Sequence, residues 1–170
     1  MINANIYNTE NKPTASEKSR IINFLFTHLD QYGDKKEDIR KCVEYSLKKS
    51  KGGLIITSCI DDKIVAAAII NRTGMEGYIP ENILVYIATH NEYRGRGIAS
   101  GLMNAIIENT DGNVALHVEH DNPAKNLYEK YGFTNKYLEM RLDKTLLKSN
   151  TMTNNSMTTK EQELHGTHNA

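Results

Sequence analysis

Apolar residues change their period along this chain, and each change marks an element. Ile2 to Tyr7 alternates weakly, as a short edge strand does. Thr14 followed by Glu17 has capping-box spacing. Beyond it Ile21, Leu25 and Leu29 recur at four, with Ile22 and Phe26 beside them, which predicts an amphipathic helix to about Tyr32, ended by Gly33. Ile39, Val43 and Leu47 repeat at the same interval with Cys42 on their side, so a second helix is expected from about Lys35 to Lys49, ended by Gly52-Gly53.

The period then shortens. Leu54 to Ile60 and Lys63 to Asn71 are rich in β-branched and small apolar residues and join through Asp61-Asp62, which predicts an antiparallel hairpin. Ile83 to Thr89 is a nearly continuous apolar run, the pattern of a central strand covered on both faces. From Gly97, Ile98, Leu102 and Ile106 form a helical stripe ending near Asn109, with Asp111-Gly112 as the turn. Val114 to Glu119 reads as a strand, Pro123 to Tyr131 as a helix opened by proline, and Thr134 to Leu142 as a last strand. The order β-α-α-β-β-β-α-β-α-β defines an α/β or α+β layer fold. The pattern stops after about Lys144, so residues 1–144 are expected to form a single domain and residues 145–170 a polar, flexible tail.

Composition narrows the function classes. A chain of 170 residues with 39% hydrophobic content suits one domain with one core. Lys plus Arg and Asp plus Glu are 21 each, so no strong field draws in nucleic acid or an anionic membrane. Cys42 and Cys59 form no CxxC and have no nearby His pair, which argues against a disulfide framework or a structural zinc site; no metal is expected, and both are read as core thiols. The N-terminus lacks signal-peptide character and no run reaches a membrane-spanning length, so a cytoplasmic protein is expected.

The stretch Thr89 to Gly101 carries the chemistry. An apolar strand leads into Arg94-Gly95-Arg96-Gly97-Ile98-Ala99-Ser100, and that loop opens a helix. Glycines let backbone N–H groups approach an anion, the helix N-terminus adds unsatisfied donors, and Arg94 and Arg96 can add charge-assisted contacts. A pyrophosphate fits this arrangement; a solvated turn has the same composition. A dinucleotide fingerprint needs glycine or alanine where Ser100 stands and belongs to an early βαβ unit, and a P-loop needs Gly-Lys-Ser/Thr. Neither matches.

With that loop, Asn122-Pro123-Ala124-Lys125-Asn126-Leu127-Tyr128-Glu129-Lys130-Tyr131-Gly132-Phe133 completes a pair of motifs that closely resembles the GNAT superfamily of N-acetyltransferases. The first matches Q/R-x-x-G-x-G/A and the second N-x-A-x-x-L-Y-x-x-x-G-F, in the family's order and spacing, over roughly Leu54 to Leu142. The resemblance implies a mixed, mainly antiparallel central sheet flanked by helices and splayed between the strand ending at Thr89 and the strand ending near Glu119. Acetyl-CoA, as cosubstrate, would lie in that splay. By similarity, Ile87, Ala88 and Thr89 would pair with the pantetheine arm near a bulge, Arg94 to Ser100 would hold the pyrophosphate, and Asn122 would touch the pantetheine.

The implied activity is direct acetyl transfer to a primary amine in a ternary complex. Tyr128 matches the family's general acid, since a phenol near pKa ~10 keeps its proton at neutral pH. His117 occupies the strand position where some relatives carry a catalytic glutamate, and an imidazole near ~6.5 suits a base. Glu119, two residues on, would share its face; Tyr86 could reach the cleft from the neighbouring strand, and water remains an alternative base. His90 and His120 stand at loop positions. A noncatalytic acyl-CoA binding or sensing module is the rival function. The acceptor is not legible, although Asp34, Glu37 and Asp38 could attract a cationic amine or simply begin a solvated helix. A homodimer is the assembly that the resemblance allows.

Overall fold

In the computed structural model, which describes residues 3–145, the chain divides into one compact unit through Phe133 and a second from Thr134. The first unit is built on five strands: β1 (Asn3–Tyr7), β2 (Gly53–Ile60), β3 (Lys63–Arg72), β4 (Asn82–Thr89) and β5 (Val114–Leu116). They lie side by side in chain order. The pairs β1–β2, β2–β3 and β3–β4 are antiparallel, and only β4–β5 is parallel. A parallel pair needs a crossover, supplied here by α3 (Ile98–Asn109). The mixed α+β layer fold expected from the sequence is present.

β3 explains the position of the core. Val65 to Ile70 are all fully buried, and their alternating side chains feed two clusters on opposite faces of the sheet. Ala67 and Ile69 join Ile21, Leu25, Ile39 and Val43 from α1 (Ala15–His28) and α2 (Lys36–Ser46). Ala66, Ala68 and Ile70 join Leu102, Met103 and Ile106 of α3, together with Tyr128 of α4 (Lys125–Lys130). Each fully buried isoleucine or leucine contributes about 1.5–3 kcal/mol of transfer free energy. The Thr14 hydroxyl accepts from the Glu17 amide while the Glu17 carboxylate accepts from the Thr14 amide, so the predicted capping box opens α1.

Several ends differ from the sequence reading. α1 stops at His28 and a 3-10 turn covers Asp30–Tyr32, because Asp30 takes a left-handed φ of 53° that an α-helix does not allow. β5 ends at Leu116 rather than Glu119, and α2 ends at Ser46. In the second unit the strand expected over Thr134 to Leu142 does not form. Its apolar residues Tyr137, Leu138, Met140 and Leu142 are exposed, so they lack the buried face that makes alternation favour a strand. Of the polar tail expected over residues 145–170, all that follows Thr145 lies outside the described residues.

Candidate active site

The cleft begins where β4 and β5 part. At the foot of β4, Asn82 is buried and its side-chain amide donates to the Asp111 carbonyl at 2.6 Å, while the Glu81 carboxylate accepts from the Asn113 amide at 2.6 Å. These contacts hold β5 against β4 for three residue pairs, Asn82 with Val114, Ile83 with Ala115 and Leu84 with Leu116. Next comes a bulge: Ile69 of β3 pairs with Tyr86 and Ile70 with Leu84, which leaves Val85 as the extra residue. A bulge bends and twists its strand. From Val85 to Thr89 the edge of β4 that faces β5 has no strand partner among the described residues. Ile87, Ala88 and Thr89 lie on this open edge and keep their pairing to Ala68, Ala67 and Ala66 on the other side.

The bulge also sorts side chains between the two faces. Val85, Tyr86 and Ala88 pack with α1 and α2, whereas Leu84 and Ile87 pack with α3 and Tyr128. Tyr86 is therefore turned to the α1–α2 side, where its hydroxyl donates to Asp34 Oδ2 at 2.6 Å. Burial, and next that carboxylate, push the phenol's pKa far upward. Tyr86 and Asp34 were separate candidates in the sequence; the fold joins them.

After β4, a 3-10 turn at Asn91–Tyr93 leads to the glycine loop. Gly95 and Gly97 have φ of 75° and 78°, and a Cβ at either would meet nothing within 4 Å. Gly97 is the N-cap of α3. That helix start has no side-chain cap and no acidic residue in its first turn, so the amides of Ile98, Ala99 and Ser100 have no intrahelical acceptor. Clear approach, amides without intrahelical acceptors and the positive end of a helix are features that suit an anion. Among the described residues no group of His, Cys, Asp and Glu could hold a metal.

The side chains near the loop are already engaged. Arg94 Nε donates to the Thr89 carbonyl at 3.1 Å, and its Nη2 lies 2.8 Å from Asp30 Oδ2 and 3.3 Å from the His28 carbonyl. Arg96 stacks over the Tyr93 ring with its guanidinium carbon 5.2 Å from the centroid. The rings of Phe24, His28, His90 and Tyr93 form a row at centroid separations of 4.7, 4.3 and 5.4 Å. Burial, followed by the neighbouring His90 and Arg94, holds the His28 imidazole below its ordinary pKa. Asn122 uses its side-chain oxygen to accept from the Ala124 amide at 2.9 Å, so it shapes the turn into α4.

Tyr128 projects from α4 into the cluster shared by Leu84, Ile87 and α3, with the Phe133 ring 5.9 Å away. Its residue exposure is 8%, and burial pushes its phenol up to about 12. His117 and Glu119 are both exposed and follow the end of β5, so strand alternation does not determine their relative orientation. In the connector between α1 and α2, sequence reasoning named Asp34 but missed Asp30 and Tyr32. Asp30 binds Arg94, the Tyr32 hydroxyl lies 3.4 Å from the Asp121 carbonyl, and Asp34 accepts from Tyr86. The available signal was an aspartate, a residue that tolerates left-handed backbone, three positions before Gly33.

The model of the acetyltransferase (GNAT) domain matches residues 51–135, which include β2 to α4 and both motifs. The chain belongs to the GNAT acetyltransferase family. No curated protein matches the sequence. Solved GNAT-like structures share the fold at low identity. The aminoglycoside N-acetyltransferase AAC(6')-Iy, in complex with CoA, is 14% identical with a TM-score of 0.62, covering 85% of this chain and 96% of that one. A predicted acetyltransferase with acetyl-CoA from Clostridium acetobutylicum is 18% identical at TM-score 0.60, with 84% and 97% covered. The ribosomal-protein-alanine N-acetyltransferase from Brucella melitensis biovar Abortus 2308 is 13% identical at 0.59, with 84% and 99% covered. Among the described residues of this GNAT chain, no helix is long and apolar enough to cross a membrane.

Proposed function

We propose that this GNAT protein transfers the acetyl group of acetyl-CoA to a primary amine by direct attack in a ternary complex. The observation that carries the reading is the open edge of β4, from Val85 to Thr89, leading directly into a glycine loop whose helix start presents uncapped amides. An extended pantetheine arm would take hydrogen bonds from that edge as an added strand does. The pyrophosphate would be held by the amides of Gly95 to Ser100, with Arg94 and Arg96 supplying charge. Asn122 shapes the α4 side of the same cleft.

Tyr128 is the general acid of this scheme. Its pKa of about 12 keeps it protonated at neutral pH, so its hydroxyl can donate to sulfur. An ordinary thiol has a pKa of ~8.5, below that of this phenol, so Tyr128 steadies the departing thiolate with a hydrogen bond, and any proton it gives up is replaced from solvent. The amine loses its own proton to His117, with Glu119 and water as the alternatives. The ammonium form of the acceptor suits the carboxylate of Asp34, whose only hydrogen-bond donor among the described residues is Tyr86.

The test is amine-dependent release of CoA thiol across a panel of small amines and peptide N-termini, with Tyr128→Phe alongside. General acid catalysis is worth about 10²–10⁴-fold, so kcat is expected to fall within that range while acetyl-CoA affinity stays unchanged. Tight acetyl-CoA binding with no amine-dependent release would point instead to a noncatalytic binding module.

A further inference from the structure

Among the described residues, Arg94 is the one loop side chain tied to another part of the fold by both hydrogen bonds and an ion pair. Its Nε and Nη2, the edge of the guanidinium fork that best matches an oxyanion, are taken by the Thr89 carbonyl, the His28 carbonyl and Asp30 Oδ2. Asp30 reaches that position through a backbone conformation disfavoured for a residue with a side chain, φ 53°. The Arg94–Asp30 pair is about half exposed on both sides, at 47% and 52%. Pairs of this kind contribute little, equivalent to no more than about fivefold in an equilibrium constant. A pyrophosphate on the uncapped start of α3 offers more charge, several acceptor oxygens and amide donors at the same place.

We propose that Asp30 is a positioning residue that acts as an internal anion, holding Arg94 away from the pyrophosphate and surrendering it when acetyl-CoA binds. The inference rests on the reading of this loop as the pyrophosphate site. It gives the α1–α2 connector a role that links the two substrates. Asp30 ties the connector to the cofactor loop, while Tyr32 ties it to Asp121 beside Asn122, and Asp34 ties it to Tyr86. Exchange of Arg94 from Asp30 to pyrophosphate frees the first tie and leaves the two that flank the acceptor side.

The experiment is a double-mutant cycle read by calorimetric titration with acetyl-CoA: the wild type, Asp30→Asn, Arg94→Ala and the pair, each checked by thermal melting. Competition predicts that Asp30→Asn tightens binding about two- to fivefold when Arg94 is present and changes nothing when it is alanine. Should Asp30→Asn melt early, Asp30→Gly, which suits the left-handed backbone, reads the same cycle. Weaker or unchanged binding by the Asp30 variants would overturn the proposal, because Asp30 would then be orienting Arg94 or irrelevant to it. Equal tightening in both backgrounds would also overturn it, as a general effect of removing a negative charge. Failure of the wild type to bind acetyl-CoA would instead defeat the reading of the loop itself, and the proposal with it.

Discussion

Replacing Gly97 by alanine separates what the glycine loop does for the fold from what it does for the ligand. Gly97 caps α3 at φ 78° and ψ 2°, and an added Cβ meets no atom within 4 Å. The stability cost is therefore conformational alone, about 1–2 kcal/mol for a side-chain-bearing residue in the left-handed region. For a domain of this size each kcal/mol moves Tm by about 2–4 °C, so a fall of about 2–8 °C is expected. Relaxing φ toward ordinary values would swing the following amides of Ile98 and Ala99 out of convergence. Losing one hydrogen bond to a charged group costs about 1.5–3 kcal/mol, which corresponds to roughly 10- to 150-fold in affinity for acetyl-CoA. Thermal melting and calorimetry on the same preparation read both effects. A large loss of Tm with normal affinity, or an unchanged affinity in a protein that relaxes by several degrees, would refute the assignment of these amides to the pyrophosphate.

Gly53→Ala should be the more damaging glycine change, because its Cβ would clash with the Ile70 carbonyl oxygen where β2 begins its pairing with β3; a loss of about 3 kcal/mol is expected in denaturant melts, and a neutral variant would contradict the β2–β3 packing. Thr14→Ala removes the α1 cap and should cost about 1 kcal/mol, seen as a Tm lower by about 2–4 °C. Burial raises the Cys42 thiol from 9.0 to about 12, so it should resist alkylation in the folded protein at about pH 8 and react promptly in denaturant. The linked sign is that Cys42 contributes its full stability below about pH 9 and loses it as pH rises toward about 12; Cys42→Ala should flatten that part of the alkaline stability profile, and an unchanged slope would contradict the burial.

The core elements were legible because their burial is periodic and nearly local. The stripe of Ile98, Leu102 and Ile106 gave α3, and the apolar run before His90 gave β4. The two spaced motifs then drew attention to the glycine loop and Tyr128. What escaped depended on geometry that no period records. The bulge at Val85 breaks the alternation within β4, sending Tyr86 to the face opposite Leu84, and a continuous apolar run conceals such a slip. The stop of α1 at His28 follows from the left-handed backbone of Asp30 and its long-range contact with Arg94, 64 positions away. β5 is short because its partner strand turns away after Leu84, which the composition of Val114 to Glu119 does not encode. The segment from Thr134 to Leu142 has strand-like alternation without a buried face, and alternation alone did not make a strand.

The most direct test of the central claim is to follow backbone amide NMR signals while acetyl-CoA is added. The account predicts that Gly95, Gly97 and Ile98 to Ser100 shift together with Ile87 to Thr89, saturating at one concentration, because loop and open strand edge form one binding surface. Saturable shifts confined to other parts of the chain, or none at all, would contradict it.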